Sequence, residues 1–122
     1  MIHPTDSELE ILKVLWKEGE CSVRKVNNIL SQNKDIGYTT TLKLMQIMHE
    51  KGLVDRDTSQ RSHIYIALVK ESDTKENLLS SFMKTTFEGS ASQLIMQALG
   101  NNKMSEAELK EIKDLIDKIE NK

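Results

Sequence analysis

The sequence predicts a mainly α-helical protein with one small β-hairpin, three helices before it and three after it. Two observations predict this. Apolar residues recur at three- and four-residue spacing in stretches separated by glycines and polar loops, the mark of amphipathic helices. After the third stretch the pattern changes to two short runs of alternating or β-branched residues around a polar tip. The composition agrees: 122 residues, 38% apolar and 30% charged, are ordinary for a folded, helix-rich chain. Aromatics are only 4%, so the core must be built from Leu, Ile, Val and some of the six methionines.

The first helix opens behind Pro4, with Thr5 as N-cap and Glu8 three residues on completing a capping box. Leu9, Leu12, Leu15 and Trp16 share one face, Trp16 reads as a core anchor, and Gly19 ends the helix. Ser22 caps a second helix carrying Val23, Val26, Ile29 and Leu30, which fades into the polar stretch 31–37. A third starts at Tyr38–Thr40 and runs to Lys51, with Leu42, Met45 and Met48 inward and Gly52 as its terminal glycine. Leu53–Asp57 and His63–Leu68 are the strands, joined by the polar tip Thr58–Ser62. Further on, Leu78, Leu79, Phe82, Met83 and Phe87 form an apolar stripe broken by Gly89. Leu94, Ile95, Ala98 and Leu99 form a second, followed by a loop over 100–103. Ser105 and Glu108 read as another capping box, opening a helix marked by Leu109, Ile112, Leu115, Ile116 and Ile119.

Three short helices followed by a hairpin is the order of a winged helix-turn-helix, in which one helix is presented to DNA and the hairpin flanks it. The expected division is a DNA-binding domain over 1–69 and a helical dimerisation region over 70–122. Three short amphipathic helices bury little surface alone, so their stripes call for a second copy of the chain; folding back onto the head is the alternative. The dimer residues expected are Leu78, Phe82, Leu94, Ile95, Leu109, Ile112 and Ile116.

Charge and motif content narrow the function. The net charge is −2, too acidic for a non-specific polyanion binder. Within 21–69, however, seven basic residues (Arg24, Lys25, Lys34, Lys43, Lys51, Arg56, Arg61) face four acidic ones (Asp35, Glu50, Asp55, Asp57). The other five acids of the first half precede Cys21, four of them on the first helix. No nucleophile–base set, phosphate loop or dinucleotide fingerprint is present, which argues against an enzyme. His3, His49, His63 and Cys21 lack metal-site spacing, so neither metal nor cofactor is expected. One cysteine, no apolar run long enough for a bilayer and no signal peptide point to a cytoplasmic protein without a membrane partner.

The run from Tyr38-Thr39-Thr40-Thr41-Leu42-Lys43 through Glu50-Lys51-Gly52-Leu53-Val54 resembles the recognition helix of the penicillinase-repressor family (the BlaI/MecI/CopY type). Glu8–Trp16 is similar to that family's first helix, Arg61 followed by Tyr65 to its wing, and Phe87-Glu88-Gly89-Ser90 with Leu94-Ile95 to the start of its dimerisation region. The resemblance implies a homodimeric repressor on a palindromic operator, released by a sensor-linked protease that cuts the tail. Two departures matter. The tail has no cysteine, which removes the copper-sensing variant. The family's cleaved Asn-Phe bond aligns with Gln97-Ala98, so the cut site is not carried over and antibiotic resistance is not implied.

On a major-groove helix the N-terminal residues meet base edges. Thr39, Thr40 and Lys43 lie on the outer side of the first turns and Gln46 one step further. Thr reads bases or phosphates, Lys43 reaches guanine or a phosphate, and Gln46 suits adenine. Alternatively the threonines cap the helix and Lys43 is a solvated charge. Arg61 is the wing's candidate for phosphate or minor groove, and Arg24 and Lys25 for the backbone. Tyr38 either packs or donates to a phosphate, and Thr41 packs inward. The competing function is a winged-helix module that docks protein rather than DNA. A metabolite-binding regulator is weaker, because the tail offers little room for a pocket.

Overall fold

The computed structural model describes residues 3–100 and 104–120, with side chains in the last helix followed to 118. The order is α1 (Asp6–Glu18), β1 (Cys21–Ser22), α2 (Val23–Leu30), α3 (Tyr38–Lys51), β2 (Val54–Asp57), β3 (Ile64–Ala67), α4 (Glu71–Phe87), α5 (Ala91–Gly100) and α6 (Glu106–Glu120). The chain is mainly helical with a small antiparallel sheet in winged-helix order. It divides into two compact units, Met1–Leu78 and Leu79–Lys122, with the division inside α4.

In the first unit the sheet order is β1-β3-β2. The hairpin is therefore three-stranded: Cys21 and Ser22 pair with Tyr65 and Ile64, while Val54–Asp57 pair with Ile64–Ala67. Leu53 and Leu68 fall just outside the strands, joined by a bond from Leu68 N to Leu53 O of 2.9 Å. The core comprises Ile11, Leu12, Val14 and Leu15 of α1, Val23, Val26 and Leu30 of α2, Met45 and Met48 of α3, and Cys21, Leu53, Val54 and Tyr65 of the sheet region. The buried face of α1 thus includes Ile11 and Val14 beyond the expected stripe. Leu9 and Trp16 sit half-buried at its margin. Trp16 anchors the end of the unit by a second route, its Nε1–H donating to Val69 O at 2.9 Å. The Tyr65 hydroxyl is buried with no partner among the described residues. The Cys21 thiol is pushed up by burial, opposed by Lys25 and reinforced by Glu18, so it stays protonated.

The capping box at Thr5 forms as the sequence predicts, with Thr5 N–H donating to Glu8 Oε1 at 2.9 Å and Glu8 N–H to Thr5 Oγ1 at 3.2 Å. What the spacing does not reveal is that Glu8 is 2% exposed. Its carboxylate takes two bonds from Lys51 Nζ at the far end of α3, at 2.8 and 3.0 Å. Gly52, at φ +81°, turns the chain out of α3, and Leu53 N–H reaches back to Met48 O at 2.9 Å.

In the second unit, Glu88 and Gly89 both take positive φ (51° and 84°) and part α4 from α5. Ser90 caps α5 through Gln93 N–H at 3.2 Å. At α6, Glu108 N–H donates to Ser105 Oγ at 3.1 Å, but the Glu108 carboxylate meets the Ser105 hydroxyl rather than a backbone N–H, so only half of the expected capping box forms. Of the expected loop over 100–103, Gly100 is instead the last residue of α5, and 101–103 lie outside the described residues, as does the side chain of Ile119. None of the described residues from 79 to 118 is buried in the single chain.

The burial of Glu8 makes a pH-resolved prediction. Burial raises its affinity for a proton, but the bonds from Lys51 and Thr5 outweigh this and hold the carboxyl below the usual glutamate range. A depressed folded pKa means the contribution is complete above the unfolded value and fades as pH falls through the folded one. Lys51→Met strands a buried carboxylate and should cost about 2–4 kcal/mol near neutral pH. Its deficit should shrink below about pH 4, where Glu8 is protonated in unfolded chains. Urea denaturation of both proteins at the two pH values reads this directly; a deficit independent of pH would mean that Glu8 does not depend on Lys51.

Candidate nucleic-acid interface

The face of α3 away from the core is set by its packing face. Thr41, Met45 and Met48 are buried at four- and three-residue spacing. That turns Thr39, Lys43, Gln46 and Glu50 outward along one stripe, with Thr40 beside it, and all five are exposed. Thr41 packs inward as the sequence suggests. The capping alternative for Thr39 and Thr40 is not what forms: Gly37 is the N-cap, and no side chain caps the helix. Both threonines lie within the first turn, with free hydroxyls at its outer edge. Glu50 at the far end of the stripe would repel phosphates, so only the N-terminal two-thirds is chemically suited to DNA.

The angle between α2 and α3 is fixed by Asn27. Its Nδ2 donates to Ile36 O at 3.1 Å and to Thr41 Oγ1 at 2.9 Å, spanning the turn between the helices. Ser31 Oγ adds a bond to Ile36 O at 3.2 Å. A half-buried amide that bonds both a carbonyl and a hydroxyl permits little rotation of α3 on α2.

Two-residue β1 does more for the interface than its length suggests. Ser22 pairs with Ile64, which brings Arg61–His63 near the start of α2, and Ser22 is also the N-cap of α2, accepting from Lys25 N at 3.2 Å. The wing is thereby stitched to the start of α2. Between them and α3 opens a cleft of about 310 Å³, lined by Ser22, Val23, Arg24, Tyr38, Leu42, Gln46, Arg61, Ser62 and His63. It unites four residues that sequence spacing scatters: Arg24, Tyr38, Gln46 and Arg61. Thr39, Thr40 and Lys43 lie on the open stripe, and Lys25 is exposed on α2 outside the cleft lining. Tyr38 is 43% exposed, and the Arg24 guanidinium lies 5.2 Å from its ring centroid. Sequence reasoning missed Ser22, Ser62 and His63 here, because only the pairing of β1 with β3 brings them to the site.

The local charge is more favourable than the total. Glu8 and Glu10 of α1 take Lys51 and Lys34 into ion pairs at 2.8 and 3.0 Å. Arg24, Lys25, Lys43, Arg56 and Arg61 make no ion pair among the described residues. Across the described residues, no group of three or more His, Cys, Asp or Glu side chains is placed to hold a metal ion, and no helix is long and apolar enough to cross a membrane.

A winged-helix head with this cleft, joined to a tail of unburied apolar helices, can be compared with known proteins. The family model described as penicillinase repressor matches residues 4–118. The chain belongs to the penicillinase repressor family. It is 23% identical over 114 residues to the methicillin resistance regulatory protein MecI of Staphylococcus aureus strain N315, covering 93% of each chain. It is 25% identical over 118 residues to the penicillinase repressor of Bacillus licheniformis, covering 97% of this chain and 92% of that one. The penicillinase repressor of Staphylococcus aureus is 20% identical over 116 residues, covering 95% and 92%. The register spans head and tail together, so membership rests on the whole architecture rather than on the winged helix alone.

Proposed function

We propose that the chain is a sequence-specific DNA-binding transcriptional repressor that works in the cytoplasm as a homodimer on a palindromic operator. The observation that carries the reading is the outward stripe of α3, where Thr39, Thr40, Lys43 and Gln46 stand exposed on a helix held by Asn27 and by the Glu8–Lys51 pair. Family membership supports it, since the relatives bear the names of repressors and a resistance regulator. In this reading α3 enters the major groove and the wing places Arg61 on the backbone or in the minor groove. The head, 1–69 with the first turns of α4, reads DNA, and the remainder joins two copies.

The dimer is supported by the tail's exposed apolar side chains. Phe82, Ile95 and Ile116 are each 46–50% exposed, and Leu94, Leu109 and Ile112 are half-buried, in a unit with no buried residue among those described; Leu78, half-buried, lies just before it. Such stripes are covered most simply by their own symmetry mates. Joining two heads multiplies weak half-site affinities by effective concentration. Proteolysis of the tail by a sensor-linked protease would end repression by removing that advantage. The bond cut is left open, because Gln97-Ala98 replaces the family's cleaved pair.

Recognition is tested by titrating the protein on DNA from upstream of its own gene. Lys43→Ala should weaken specific binding by roughly 1–3 kcal/mol and relax preference at one position per half-site. Arg61→Ala should weaken all sequences alike and flatten the salt slope by about 0.9 per lost phosphate contact. Failure to bind at low salt would favour the protein-docking module instead.

For the dimer, sedimentation should give two chains at micromolar protein. Ile95→Glu should yield a monomer whose operator affinity falls by about 10²-fold or more. Half-site centres should lie about 10 base pairs apart, or a multiple. A monomeric wild type would overturn this arrangement.

Induction is followed by immunoblot while the target genes switch on. Shortened repressor is expected; full derepression with intact chain would point to a ligand or partner that loosens the dimer.

A further inference from the structure

The cleft between α2, α3 and the wing holds more cationic capacity than direct base reading requires. Arg24 and Arg61 both line it, and neither makes an ion pair among the described residues. The Arg24 guanidinium lies over the Tyr38 ring, 5.2 Å from its centroid, and donates no hydrogen bond among the described residues. His63 lines the same cleft, exposed, at the foot of the wing beside Ser62. The register that pairs Ser22 with Ile64 keeps His63 next to the start of α2. This seat stands at the edge of the outward stripe of α3, where Gln46 belongs to both.

We propose that the cleft seats one DNA phosphate per half-site, with Arg24 and Arg61 as permanent partners and His63 as a third that joins when protonated. The proposal rests on the DNA-binding reading above and adds a residue and a condition to it. Imidazoles gain their proton as pH falls through the mildly acidic range, and a phosphate placed beside one favours the imidazolium. The groups facing His63 are Arg24 from α2, Tyr38 and Gln46 from α3, Ser22 from β1, Arg61 at the tip and Asp57 from β2. Asp57 does not titrate in the mildly acidic window. Hydrogen bonds from Ser59, with a smaller contribution from His63, hold its carboxyl below the usual aspartate range. DNA binding therefore takes up a proton, and affinity rises as the medium becomes mildly acidic.

The test is fluorescence anisotropy of the full chain on two duplexes, its own upstream DNA and a scrambled sequence, over about 50–200 mM salt. Titrations at about pH 5.8 and 7.8 bracket imidazole protonation. In the wild type, the slope of log affinity against log salt should be steeper at the lower pH by about 0.9 per half-site, on both duplexes. His63→Gln should give a single slope at both pH values. His3→Gln and His49→Gln should retain the wild-type pH effect. Equal wild-type slopes at the two pH values would overturn the proposal while leaving DNA binding intact. So would a pH effect that survives in His63→Gln. Failure to bind either duplex at low salt would overturn the DNA-binding reading itself, and the phosphate seat with it.

Discussion

One buried carboxylate sets the geometry of the head. Glu8 closes the N-terminal cap of α1 through Thr5 and, with the same oxygens, takes Lys51 at the C-terminal end of α3. A charge so deep is stable only while every partner is present, so the start of α1 and the end of α3 must stay together. With that end fixed, Asn27 fixes the other, holding the first turn of α3 against α2. The presented helix is thus held at both ends by polar contacts of defined direction, and along its length by Met45 and Met48. Apolar packing tolerates small slides; hydrogen-bonded amides and carboxylates do not. In the proposed reading, α3 places particular side chains against base edges, and that needs the second kind of restraint.

The same pair shapes the electrostatics. Acids of α1 neutralise Lys51 and Lys34, two of the seven basic residues of the 21–69 segment. The cations left without an ion pair include those at the cleft and on the outward stripe. An overall acidic chain can thus present a locally basic face, because its excess acid lies on α1 and in the tail.

Much of this was legible from residue order. Caps and glycines at Thr5, Gly19, Ser22 and Gly52 bounded the first three helices, and period-two runs marked the wing. Such signals are local, carried by residues within a few positions of one another. The parts that escaped are not local. A two-residue strand at Cys21–Ser22 has no alternation to detect, and only its pairing with β3 makes it a strand. The capping motif explained Glu8 so fully that its second partner, 43 positions on, left no further trace. The cleft followed the same rule, since Arg24, Gln46 and His63 meet only through the sheet. In the tail, periodicity marked the helices and their stripes, but Gly100, which reads as a loop glycine, is the last residue of α5.

The division of labour along α3 also bears on how such proteins diversify. The residues that hold the helix in place (Thr41, Met45, Met48 and Lys51) are not those it presents (Thr39, Thr40, Lys43 and Gln46). Exchanging an exposed side chain away from special contacts usually changes stability by no more than about 0.5 kcal/mol. The lettering on this helix can therefore be rewritten while its mounting is left alone. A duplicated gene could acquire a new target site in single steps, each leaving a folded protein for selection to act on.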